Sequence, residues 1–170
     1  MLFRSLPLGS LNGMPILLIA TADTEAACTK LKERLDAQTK DSCTILKATD
    51  AYPFKAATPD IEKWLAGVRR DVNKKRVVLE PNDDRYKKAH WAAITTMDSI
   101  HTSVADKRPR LEVEADRASN RITVKAVGVE SFSLLLNDSL VDLDKEFTVV
   151  VNDKAMSRKS ARDLNKTIAF

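Results

Sequence analysis

Aromatic residues make up only 5% of this 170-residue chain. A core must therefore come from Leu, Val, Ile and Ala, and no regular array of stacking rings accompanies the basic residues. Cysteine is nearly absent. Cys28 and Cys43 stand alone without CxxC spacing, which argues against zinc. They read as small buried residues, one on a helix and one at a strand start, with a disulfide left open. The two histidines, His90 and His101, lack a partner at metal-ligand spacing. No apolar run approaches the ~18 residues of a membrane span. A nucleophile elbow of the GxSxG type is missing too, since Gly9-Ser10-Leu11-Asn12-Gly13 has the wrong spacing. No metal and no cofactor are expected.

What is present fits a folded chain: 44% hydrophobic, 31% charged and a net charge of +4. The basic clusters Arg69-Arg70, Lys74-Lys75-Arg76, Lys87-Lys88 and Lys107-Arg108 are short and mixed with acids. They read as solvated surface, so nucleic acid is a disfavoured partner. Arg4, the run Met14–Ala20 and Ala20-Thr21-Ala22 loosely follow a signal-peptide pattern. Pro7, Gly9, Ser10, Asn12 and Gly13 interrupt it, and Pro15–Ala20 reads instead as a buried strand. The compartment stays open, with the cytoplasm favoured and an exported form as the alternative.

Taken in order, Met1–Gly13 is a lead-in closed by Asn12-Gly13. Ile16–Ala20 is continuously apolar, as in a strand covered on both faces. Asp23 or Thr24 caps a helix whose stripe is Cys28, Leu31 and Leu35, with Lys30, Lys32, Glu33 and Asp36 outward. Cys43–Ala48 is a second strand. Thr58-Pro59-Asp60 then opens a helix with the apolar face Ile61, Trp64, Leu65 and Val68. Strand, helix, strand, helix implies a parallel pair.

Beyond the charged Asp71–Arg76 the period changes to two. Arg76–Glu80 is a short strand, and Tyr86–Thr96 reads as another, with a helical turn through Trp91 and Ile94 as the alternative. Leu111, Val113 and Ala115 alternate with polar neighbours and form a hairpin with Ile122, Val124 and Ala126 across the turn Asp116–Asn120. Phe132, Leu134 and Leu136 repeat the alternation, as do Phe147, Val149 and Val151. Asn137-Asp138 and Asn152-Asp153 follow these runs as turns. Lys154–Leu164 is polar and reads as a loose tail. The expected fold is therefore α/β followed by all-β. Residues 1–71 form a truncated strand–helix–strand–helix layer, and residues 72–170 a β-sandwich-like domain.

Three constellations could carry chemistry. Asp142 and Asp144 could supply a carboxylate pair but more often flank a turn. Asn82-Asp83-Asp84 offers oxygen ligands without the rest of a calcium loop. Asp98 and His101 could share a helical face. None reaches a catalytic assignment.

Pro15–Asp23, Cys28–Leu35 and Thr58–Leu65 together resemble the last two strand–helix units of an α/β-hydrolase of the prolyl-oligopeptidase or dienelactone-hydrolase type. Asn120–Val124, Leu136-Asn137-Asp138, Leu140–Lys145 and Val149–Asn152 resemble a β domain that follows that segment in some large bacterial hydrolases. The resemblance implies that Asp23 matches the triad acid. Where the triad histidine would follow the second strand, this chain has Asp50-Ala51-Tyr52-Pro53. A nucleophile would lie upstream of residue 1. An acid without a base or nucleophile cannot run acyl transfer. The implied function is a non-catalytic binding or interaction protein, with a protein partner or a homo-oligomer. The alternative is an accessory part of a serine hydrolase or peptidase that another chain completes.

Overall fold

The computed structural model describes residues 8–11, 13–40, 42–69, 71–100, 108–159 and 168–169. Contacts divide the chain into two compact units, Met1–Asp71 and Val72–Phe170.

In the first unit Leu8–Leu11 forms a 3-10 helix that buries Leu8 and Gly9. β1 (Ile16–Ala20) then pairs in parallel with β2 (Cys43–Lys47), Ile16 opposite Cys43. α1 (Glu25–Asp36) joins them and buries Leu35. Leu8, Leu35 and Cys43 form the core, with Ile16, Leu18 and Leu31 packed partly against it. Lys32 and Asp36 do not face outward as their positions suggested. Lys32 Nζ donates to Asp36 Oδ2 at 2.6 Å and to the Cys43 carbonyl at 2.5 Å, and Asp36 Oδ1 accepts the Cys43 N–H at 3.3 Å. These bonds tie the last turn of α1 to the first residue of β2. The expected helix cap also differs. Thr24 sits at the cap in an α-region conformation, with φ −107° and ψ −7°, and its Oγ1 accepts from the Thr21 N–H behind it. A capping side chain reaches forward from extended backbone.

A 3-10 helix at Lys55–Ala57 leads into α2 (Thr58–Gly67), which has Pro59 and Asp60 in its first turn. At its other end the Arg69 guanidinium donates to the carbonyls of Ala66 and Val68, at 2.8 and 3.0 Å.

The expectation of an α/β fold is corrected here. The chain is mostly β, with 37% in strands against 20% in helix, three sheets and only two α-helices among the described residues. No hydrolase-like layer of alternating strands and helices is evident. The reason lies in burial. Ile16–Ile19 are only half-buried rather than covered on both faces, and α2 buries none of its residues.

The second unit contains β3 (Arg76–Leu79), β4 (Lys88–Ala89), β5 (Ala92–Met97), β6 (Arg110–Asp116), β7 (Arg121–Val127), β8 (Val129–Leu134), β9 (Phe147–Val151), β10 (Lys154–Arg158) and β11 (Ile168–Ala169). One sheet runs β10-β9-β7-β6-β3, the other β11-β8-β5-β4. Both contribute to one core: Leu111, Val113, Ile122, Val124, Phe147 and Val149 from the first, Ile94, Phe132 and Leu134 from the second. The chain passes from one sheet to the other at Gly128, whose φ of 57° turns β7 into β8 without a loop. β6 and β7 pair in a regular antiparallel hairpin, Val113 opposite Val124.

Two asparagines fix the connections. Asn120, at φ 49°, donates to the carbonyls of Asp142 and Glu146 at 3.1 and 3.0 Å and accepts the Asp142 N–H at 2.7 Å. It holds the β8–β9 connection against the β6–β7 turn. Asn152 and Asp153 both have positive φ, 44° and 68°, as a two-residue turn between β9 and β10 requires. The Asn152 carboxamide pairs with both backbone groups of Ala126, extending the β7–β9 ladder. Tyr86–Thr96 is not one strand but the β4–β5 pair, reversed at His90 (φ 51°). Trp91 is buried there, its indole N–H bonded to the Lys74 carbonyl at 2.6 Å. The tail from Lys154 begins with β10 rather than loose chain; residues 160–167 lie outside the described residues.

Across β3 and β6 runs a ladder of charges. Glu112 accepts from Arg76 at 2.9 and 2.7 Å and from Arg110 at 3.1 Å, and Arg110 also reaches Glu80 at 2.5 Å. Partial burial pushes the Glu112 carboxyl up, but the hydrogen bonds from Arg76 and Arg110 outweigh it and hold it below its ordinary value. A depressed folded-state pKa gives stability that is present above the unfolded value and lost as pH falls through the folded one. Glu112→Gln should therefore cost stability at neutral pH, and the gap from the parent should close in acid. Urea titrations from pH 7 to 3 check this; a gap that stays constant rules the carboxylate out as its source.

Candidate functional site

Asp23, three residues beyond the end of β1 at Ala20, is exposed in the turn between β1 and α1. Asp50, which stands where the family histidine would follow, is occupied structurally: its Oδ2 accepts the Ala56 N–H at 3.0 Å. His90 belongs to the second unit, and His101 lies outside the described residues, so its pairing with Asp98 does too. The structure assembles no triad from these residues.

The other constellations are neutralised locally. Lys145 bonds Asp142 Oδ2 at 2.9 Å and, against a small burial effect, holds its carboxyl below the ordinary range. Asp142 Oδ1 accepts the Asp144 N–H at 3.1 Å, and Asp144 itself is exposed. Two carboxylates that share a proton need a common site; these flank a turn. Asp83 takes the Arg85 guanidinium on both oxygens, at 2.9 and 2.8 Å, together with the Arg85 N–H, and these bonds lower its pKa. Asp84 pairs with Lys87 at 2.9 Å. Cys28 and Cys43 are both free thiols, and burial pushes the Cys43 thiol up, away from reactivity. Among the described residues no group of His, Cys, Asp or Glu gathers at a metal-binding spacing. Among the described residues no helix is long and apolar enough to cross a membrane.

The surface around Trp64 is different. α2 carries Ile61, Trp64 and Leu65 of the stripe, and Val68 follows as its C-cap in extended backbone (φ −78°, ψ 132°); all four are left partly or largely uncovered, and Leu65 is 57% exposed. Trp64 lies between two open hollows of the first unit. One, of about 320 Å³, is lined by Gly13, Met14, Pro15, Thr39, Lys40, Ser42, Thr44 and Trp64. The other, of about 460 Å³, is lined by Asp60, Lys63, Trp64, Gly67 and Val68. Beside Gly67 there is open space where a Cβ would stand. A half-buried tryptophan beside an exposed leucine on an apolar helix face is the composition of a docking hot spot. Sequence reading found this stripe as the apolar face of a helix. Helical periodicity marks which residues seek cover; it carries no mark of whether cover arrives.

Comparison with protein-family models, with curated proteins and with solved structures found no match, so the α2 face is argued from the residues of this chain alone.

Proposed function

We propose that this is a non-catalytic interaction protein that docks on a protein partner through the apolar face of α2. The carrying observation is that α2, with the apolar residues Ile61, Trp64 and Leu65 on one face and Val68 at its C-cap, buries none of them fully. Covering Trp64 and Leu65 would contribute roughly 1.5–3 kcal/mol for each side chain fully buried. The alternative, an accessory part of a serine hydrolase, rests on Asp23 being exposed and open to a base carried by another chain.

The two tryptophans make the docking face measurable. Trp91 is 3% exposed and serves as an internal reference. In protein labelled with 5-fluorotryptophan, Trp64→Phe assigns the two fluorine resonances. At low micromolar concentration the Trp64 resonance should show the larger solvent-isotope shift between H₂O and D₂O. A Trp64 resonance as insensitive as that of Trp91 means that the face is already closed, and the docking reading falls. The purified protein should also leave short-chain nitrophenyl esters unhydrolysed above background. Turnover that disappears in Asp23→Ala would move the reading to the hydrolase.

A further inference from the structure

Resting on the docking reading above, we infer that the occupant of the α2 face is a second copy of this chain, its α2 running antiparallel to the first. In sequence the stripe, Ile61, Trp64 and Leu65 of α2 with Val68 at its C-cap, is symmetric about its midpoint between Trp64 and Leu65. An antiparallel two-fold pairing therefore sets Trp64 beside Leu65 of the copy, and Ile61 beside Val68. The charges follow the same symmetry. The acidic first turn carries Asp60, and the other end is closed by Arg69 on the last carbonyls. Antiparallel pairing brings each acidic end alongside a basic end, and it aligns the helix dipoles head to tail. Parallel pairing would set Asp60 against Asp60 and Arg69 against Arg69. Opposite Lys63 and Glu62 the symmetric positions are Ala66 and Gly67, so no like charges meet and close approach is allowed.

The contact is small. Ten residues of helix span only ~15 Å, and one helix pair of that length cannot by itself bury the ~1,200 Å² of a stable interface. The pairing is a weak one, with a dissociation constant of order micromolar or above.

The experiment uses the full chain. Sedimentation equilibrium from about ten micromolar to about one millimolar should show the mass rising toward two chains, with the Trp64 fluorine resonance losing its solvent sensitivity over the same range. Asp60→Arg and Arg69→Asp each place like charges at both ends of the symmetric pair and should weaken association about tenfold. An equimolar mixture of the two variants restores opposite charges at both ends and should associate as the parent does. Helix destabilisation by either substitution would persist in the mixture, so rescue separates charge pairing from folding. A parent that stays at one-chain mass up to millimolar concentration overturns the second copy. A mixture no better than its components does the same. In both cases a Trp64 resonance that stays solvent-sensitive leaves the docking reading standing.

Discussion

Expressed separately, Met1–Asp71 should give an unfolded or aggregated product, whereas Val72–Phe170 should give a well-dispersed amide spectrum. The difference is one of core size. Among the described residues three buried ones anchor the cluster of the first unit, Leu8, Leu35 and Cys43, against sixteen in the second. Each ordered residue costs roughly 1–2 kcal/mol of backbone entropy. A two-stranded sheet with one packed helix buries too little to offset that cost over some seventy residues. The second unit has a core shared by two sheets and closes its connections with side-chain clamps. Heteronuclear NMR of the two pieces decides the matter. Dispersion from Met1–Asp71 alone would mean that its small cluster suffices, and the argument from core size would fail.

Leu134→Ala should destabilise the intact protein by about 2–5 kcal/mol, the range for truncating a fully buried aliphatic side chain. Leu134 has no exposed surface and sits in β8 opposite Ala92 of β5, itself fully buried. Phe147→Ala, on the facing sheet, should cost about 3–5 kcal/mol. Ser133→Ala is the control. Among the described residues its hydroxyl meets the Thr95 hydroxyl, at 3.4 Å and in exposed surroundings, so the change should be close to neutral. Denaturant titration ranks the three. If Ser133 proves costlier than Leu134, the strand faces the other way, because a shift of one residue exchanges every side chain between faces.

The second unit was the more legible in sequence because its information is local. Leu111, Val113 and Ala115 alternate with Arg110, Glu112 and Glu114, and all three are buried. Asn152-Asp153 announces a turn by residue type, and both residues adopt the positive φ that type allows. Asn137-Asp138 turns by another route: the Asn137 carbonyl accepts from Leu140 and Val141, at 3.0 and 3.2 Å. β10 was illegible. Ala155 and Met156 are its only apolar residues, and an edge strand needs no alternation when one neighbour, β9, supplies its hydrogen bonds. His90-Trp91 was missed as a reversal because neither residue type signals a turn. In the first unit the elements could be read but not their cover. A continuous run such as Ile16–Ala20 looks the same whether two layers enclose it or one face stays half open. The candidate site was invisible for the same reason, since exposure of Trp64 is a property of what surrounds it.

The passage of the chain through Gly128 also governs how fast this unit can form. β7 and β9 are parallel neighbours, yet β8 lies between them in sequence and belongs to the other sheet. The chain must leave one sheet, add a strand to the second and return before β9 finds its place. Only the turns at β4–β5, β6–β7 and β9–β10 close locally; β3 reaches β6 from Arg76 to Glu114, and β5 reaches β8 from Ala92 to Leu134. Folding dominated by such distant pairings runs on a scale of milliseconds to seconds. Neither sheet can be finished ahead of the other. Until β9 docks, the open edge of β7 is exposed to any other extended chain nearby, so the slow step of folding is also the interval in which aggregation competes with it.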